Sequence, residues 1–125
     1  MTRTVHMEDI DQSGLTRRLI DFLRDNRSLR VHEPATTGRS PRTAYLNAIA
    51  KDVGRAPIFI LQITNFVSGQ QESTAVTADE AEQILLVSEK TNAFMACHSV
   101  MEEVKNNGRR VVRYTQLPPE KIRRH

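Results

Sequence analysis

The sequence predicts a mainly α fold: a helical bundle of five or so helices, containing a helix-turn-helix-like pair, a long amphipathic helix and a short C-terminal β segment. Three observations predict it. Leu15, Leu19, Phe22 and Leu23 recur at helical spacing. Between Leu46 and Gly69, two apolar stretches flank a turn at Gly54. Thr77-Ala-Asp-Glu80 reads as a capping box and opens a stripe of three- and four-residue steps, Ile84, Val87, Thr91, Phe94, His98 and Met101.

The elements follow in chain order. Residues 1–12 are polar and read as a flexible N-terminus. Ser13 is placed to cap a helix over about 14–26, whose other face carries Arg17, Arg18, Asp21, Arg24 and Asp25. Residues 27–40 contain Pro34 and Gly38 and show no helical period. They read as a linker, with a short extended piece at Leu29–Val31. Ser40-Pro41 looks like a helix start and leads to Leu46, Ile49, Ala50 and Val53. Gly54 stops that helix, Pro57 restarts one, and Ser68-Gly69 ends it. From Thr77 to about Asn106 the chain reads as one long helix, or two joined near Lys90–Asn92. Asn107-Gly108 is a stop, and Arg109–Thr115 is β-branched and short, a strand signal. The domain expected is a single helical one over 13–116, with a basic tail at 117–125.

Size and composition narrow the function. One domain of 125 residues with 5% aromatics and no Trp is a lean core, which favours completion by a second copy. Residues 61–104 carry seven acids against one Lys, whereas residues 105–125 carry seven Lys or Arg against one acid. That asymmetry points to a polyanion or an acidic protein partner at the basic ends. Fourteen of the eighteen basic residues are Arg, the side chain that forks onto phosphate and carboxylate; a GC-rich genome would give the same bias. Cys97 is the only cysteine, so no intrachain disulfide forms. With no long apolar run and no signal-peptide core, a cytoplasmic, membrane-free protein is expected.

The stretch Ile49-Ala-Lys-Asp-Val-Gly-Arg-Ala-Pro57 carries the sharpest expectation. Ala50 supplies a small residue where two helices would cross, and Gly54 supplies a turn. This pattern resembles the lambda-repressor-like helix-turn-helix family, over about residues 43–88 with the motif itself at about 42–68. The resemblance implies that a helix from about Pro57 enters the major groove of double-stranded DNA. Ile58, Gln62 and Asn65 would then face base edges, and Arg42, Thr43 and Arg55 would lie near phosphates. It implies a small dimeric, sequence-specific regulator, a repressor of phage, plasmid or bacterial origin. Arg109, Arg110 and Arg113 would add phosphate contacts from the C-terminal segment, or else belong to a solvated tail.

The alternative is that Ile58, Phe59 and Leu61 mark a buried helix and the pair is only a tight helical hairpin. The chain would then be a protein-binding adaptor or inhibitor that docks a partner through its apolar helices. The stripe Ile84, Val87, Phe94, His98 and Met101 is core or the seam of a homodimer. The four His residues are scattered, no acid joins Cys97-His98 at ligand spacing, and no glycine loop or activated nucleophile stands out. No metal, no cofactor and no enzymatic activity are therefore expected.

Overall fold

The computed structural model describes residues 5–25, 28–90 and 92–115. Its centre is a five-stranded antiparallel sheet in the order β1-β2-β3-β4-β5, formed by Ser28–Glu33, Arg42–Ile49, Ile58–Asn65, Gln70–Val76 and Val112–Thr115. Three helices accompany it: α1 (Arg17–Asp25), α2 (Ala78–Ser88) and α3 (Ala93–Asn106). A single 3-10 turn at Met7–Asp9 precedes them.

This overturns the mainly α expectation, and the difference lies in residues 42–76, which form three strands of the sheet. Residues 42–65 are not a helix-turn-helix. They are a β-hairpin, with Leu46 opposite Leu61 and Ile49 opposite Ile58. Leu46, Ile49, Ala50 and Val53 do fit a helical period, but Ala44, Leu46 and Ala48 fit a period of two and are the buried set. The second strand is rich in the β-branched and aromatic residues that suit a pleated surface. Gly54, with φ of 80°, is a turn glycine as expected, but it joins strands. Ser68-Gly69 likewise closes the β3–β4 turn rather than a helix: Gly69 has φ of 74°, and the Asn65 Oδ1 accepts from the amides of Val67 and Ser68.

Other expectations held. Helix α1 forms within 14–26, although Ser13 bonds Asp11 and it is the Thr16 hydroxyl that accepts from the Leu19 amide. The Thr77–Glu80 capping box is present in both directions. The stripe beyond it is two helices, the second capped by Asn92. β1 covers the extended piece at Leu29–Val31, and β5 lies within Arg109–Thr115. The N-terminal segment is less loose than expected: Met7 and Ile10 are buried, and Asp9 and Asp11 exchange backbone hydrogen bonds with Gly54 and Arg55. The basic tail expected at 117–125 lies outside the described residues.

The core lies between one face of the sheet and the helices. Ala44, Leu46, Ala48, Phe59, Leu61, Ile63 and Val76 pack under Leu19, Leu23, Ile84, Phe94, Val100, Met101 and Val104. Burying one such aliphatic or aromatic side chain stabilises the fold by about 1.5–3 kcal/mol. The stripe Ile84, Phe94 and Met101 is therefore core, fully covered within this chain; Val87 and His98 are half-buried beside it. No described helix is long and apolar enough to cross a membrane.

Candidate nucleic-acid interface

Alternation along each strand sends every second side chain to the face that no helix covers. Strand register assembles these side chains into rows. At one end lie His32, Thr43, Thr64, Gln71 and Tyr114; next come Arg30, Tyr45, Gln62, Ser73 and Val112. Ser28, Asn47, Ile60 and Ala75 form a third row, and Ile49 and Ile58 close the far end. None of these described positions is Asp or Glu. The strand carboxylates, Glu33 and Glu72, point to the helix side. An antiparallel sheet with one bare face usually makes that face uniformly polar. This one instead mixes aromatic rings, amides, hydroxyls and exposed apolar groups, with Ile49 at 45% and Val112 at 46% exposure.

Electrostatics separate the two faces further. Arg17, Arg18, Arg24, Arg42, Lys105, Arg109 and Arg113 are all ion-paired. Among the described residues, Arg30, Arg39, Lys51, Arg55, Lys90 and Arg110 have no such pair. Five of those six lie on the bare face, in the hairpin turns at its ends, or at the approach to β5. Asp52 shares the β2–β3 turn with Lys51 and Arg55, so the unopposed charge rests mainly on Arg30, Arg39 and Arg110.

The His32 end of that face is a packed polar cluster in which Thr43 and Gln71 are buried. His32 Nδ1 is 3.0 Å from the hydroxyl of Thr43, which is wholly buried, and the His32 and Phe66 ring centres are 6.2 Å apart. Gln71 Nε2 donates to Thr64 Oγ1 at 3.1 Å. Its Oε1 is buried with no partner among the described residues, a rare condition for an amide oxygen.

The helix side has its own polar hollow, of about 340 Å³, between α3 and the β3–β4 hairpin. Its charges satisfy one another. Glu72 accepts from Arg113 and pairs with Lys105 at 2.8 Å. Burial pushes the Glu72 carboxyl up, but hydrogen bonds and charge from Lys105 and Arg113 outweigh it and hold the group below the usual range. Arg42 is bonded twice to Glu33 and stacks on Phe94, 4.6 Å from the ring centre. That network braces the sheet against α3 and leaves no free charge for a ligand. Cys97 is sealed in the core, its thiol pushed up to about 12 by burial.

The DNA-contact set expected from the sequence is thereby scattered. Arg42, Arg109 and Arg113 are locked in ion pairs, Thr43 is buried, and the Asn65 side chain caps its own turn. Residues 42–65 are a β-hairpin, so the helix from Pro57 that the resemblance implied for the major groove does not exist. Ile58 and Gln62 do lie on the bare face, Arg55 sits exposed at its end, and Arg110 is exposed beside β5. Sequence reasoning missed His32, Tyr45, Ile60 and Tyr114 as members of one surface. For Tyr45 the signal is the period-two pattern Thr43, Tyr45, Asn47, Ile49; the others join it only through strand pairing. No family model, no curated protein and no solved structure matches the chain.

Proposed function

We propose that this chain binds single-stranded nucleic acid across the bare face of its sheet. The observation that carries the reading is that no described position on that face is a carboxylate, together with Arg30 on it, Arg39 in the turn at its end and Arg110 beside β5, none of them ion-paired among the described residues. A phosphate backbone is attracted to such a surface and meets no repulsion on it. Tyr45, Tyr114 and His32 offer rings on which bases stack, and Gln62 and Asn47 offer amides to base edges. Five strands span roughly 20 Å, room for a few nucleotides but a poor match to a duplex groove.

The test is equilibrium binding of labelled oligomers of roughly 12 nucleotides, single-stranded against a matched hairpin duplex. The single strand binds more tightly, and Tyr45→Ala weakens it by about 1–3 kcal/mol while far-ultraviolet circular dichroism is unchanged. Equal affinity for duplex and single strand, or an unaffected Tyr45→Ala variant, would sink the reading.

One observation favours a second reading. Ile49, Ile58 and Val112 leave an apolar border on the same face, which suits a protein surface, including a second copy of this chain. Sedimentation of the free protein distinguishes the two. A dimer that dissociates on Ile58→Asp, with no oligomer binding in either form, favours protein contact.

A further inference from the structure

We propose that the hollow on the bare face between β3, β4 and the approach to β5 is a nucleobase slot that anchors the strand; this rests on the single-strand reading above. The hollow measures about 470 Å³ and is lined mainly by Ile60, Ser73, Ala75, Val112, Arg109 and Arg110. Its origin is local. The β4–β5 ladder runs only as far as Ser73 opposite Val112, so no strand residue lies across from Ala75. The Thr74 hydroxyl takes over, donating to the Arg110 carbonyl at 2.7 Å. The sheet therefore opens beside Ala75, whose small side chain leaves the space unfilled.

The walls differ in kind. Ile60, Ala75 and Val112 make an apolar floor. Arg109 is fixed, its guanidinium held by both Glu80 oxygens and by the Ala75 carbonyl. Arg110 is exposed and, among the described residues, unpaired. A flat heteroaromatic group fits this pairing: one face rests on the apolar floor, the other takes a guanidinium. An apolar peptide side chain would also fill the floor. It would leave Arg110 without a counter-charge, whereas a nucleotide brings its phosphate next to the base. Charge complementarity thus selects the nucleotide, and the Ser73 hydroxyl adds a hydrogen-bonding group on the wall.

An abasic scan tests the slot. The wild-type protein is titrated with a single strand of roughly six nucleotides, short enough to limit sliding, and with versions that lack one base at each position in turn. One position should cost about tenfold or more in affinity, and the others less. Ala75→Phe fills the hollow from an exposed site; it should bind the intact oligomer as weakly as the wild type binds the sensitive abasic one, and lose the positional penalty. Ala75→Leu, a smaller filling change, should act in the same direction, and thermal melts verify that both variants fold. Arg39→Ala, away from the hollow, should lower affinity throughout yet keep the penalty. If oligomers bind but no position is sensitive, or the penalty persists in Ala75→Phe, the slot is overturned and single-strand binding stands. If no oligomer binds at low salt, both fall. If Ala75→Phe alters only the oligomeric state, the hollow is a protein contact.

Discussion

Glu80 shows how single residues brace this fold. One of its oxygens accepts from the Thr77 amide and from Arg109, and the other accepts from Arg109 at 2.6 Å. It thereby closes the N-terminal cap of α2 and ties the helix to the chain that leads into β5. The Arg109 hydrogen bonds hold the Glu80 carboxyl below its usual range, against the opposing effect of burial. A depressed folded-state pKa adds stability above the unfolded value, about 4.3, and that stability is lost as pH falls through the folded value. Arg109→Ala should therefore cost about 1 kcal/mol at neutral pH, a modest figure because the arginine is a third exposed. Urea midpoints of wild type and variant should converge as pH drops from about 7 to about 3. A gap of equal size at both ends would mean that Arg109 acts through packing rather than charge.

At the scale of the element, β3 separates the two ways of reading the chain. On a helix beginning at Pro57, Leu61 and Gln62 would both point outward. On β3 they point to opposite faces: Leu61 is completely buried and Gln62 lies in the Tyr45 row. Leu61→Ala should cost about 2–5 kcal/mol. Gln62→Ala should stay within about 0.5 kcal/mol, since its neighbours are on the bare face. Chemical denaturation of the two variants decides, and similar losses in both would contradict the alternation. The same contrast explains what was legible. Capped helices announce themselves locally: Thr77 with Glu80, Asn92, and the Asn107-Gly108 stop all lie within a few residues of what they terminate. The sheet does not. Tyr45 finds Gln62 and Arg30 only through pairing between strands, and nothing local to residues 42–49 says which partner they will meet. A short stretch such as Leu46–Val53 satisfies periods of 3.6 and 2 almost equally, and the Ala–Gly spacing then tilts the reading towards helix. The candidate site was hidden for the same reason, because it exists only as rows across five strands.

At the scale of the whole molecule, the division of charge between the two faces is the feature with functional weight. Arginines on the helix side are committed: Arg18 of α1 pairs with Glu82 and Glu89, and Arg113 of β5 with Glu72. Arg30, by contrast, stands on the bare face across from Tyr45 with no ion pair among the described residues. A cation already paired in the free protein releases few counterions when a polyanion arrives, because its charge is spent. A free one releases its full share. For single strands, the logarithm of the binding constant falls against the logarithm of salt concentration with a slope of about −0.7 per phosphate neutralised. Arg30→Ala should therefore make the slope shallower by about 0.7, as well as weakening binding at low salt. Arg18→Ala removes the same formal charge and should leave the slope where it was. Titrations of one labelled single strand at a series of salt concentrations between about 50 and about 200 mM measure both slopes. If the two substitutions shift the slope alike, binding responds to net charge alone and the bare face has no special part in it. If Arg30→Ala alone flattens the slope, the phosphate path crosses β1, and the ring of Tyr45 and the hollow beside Ala75 lie along its continuation across the sheet.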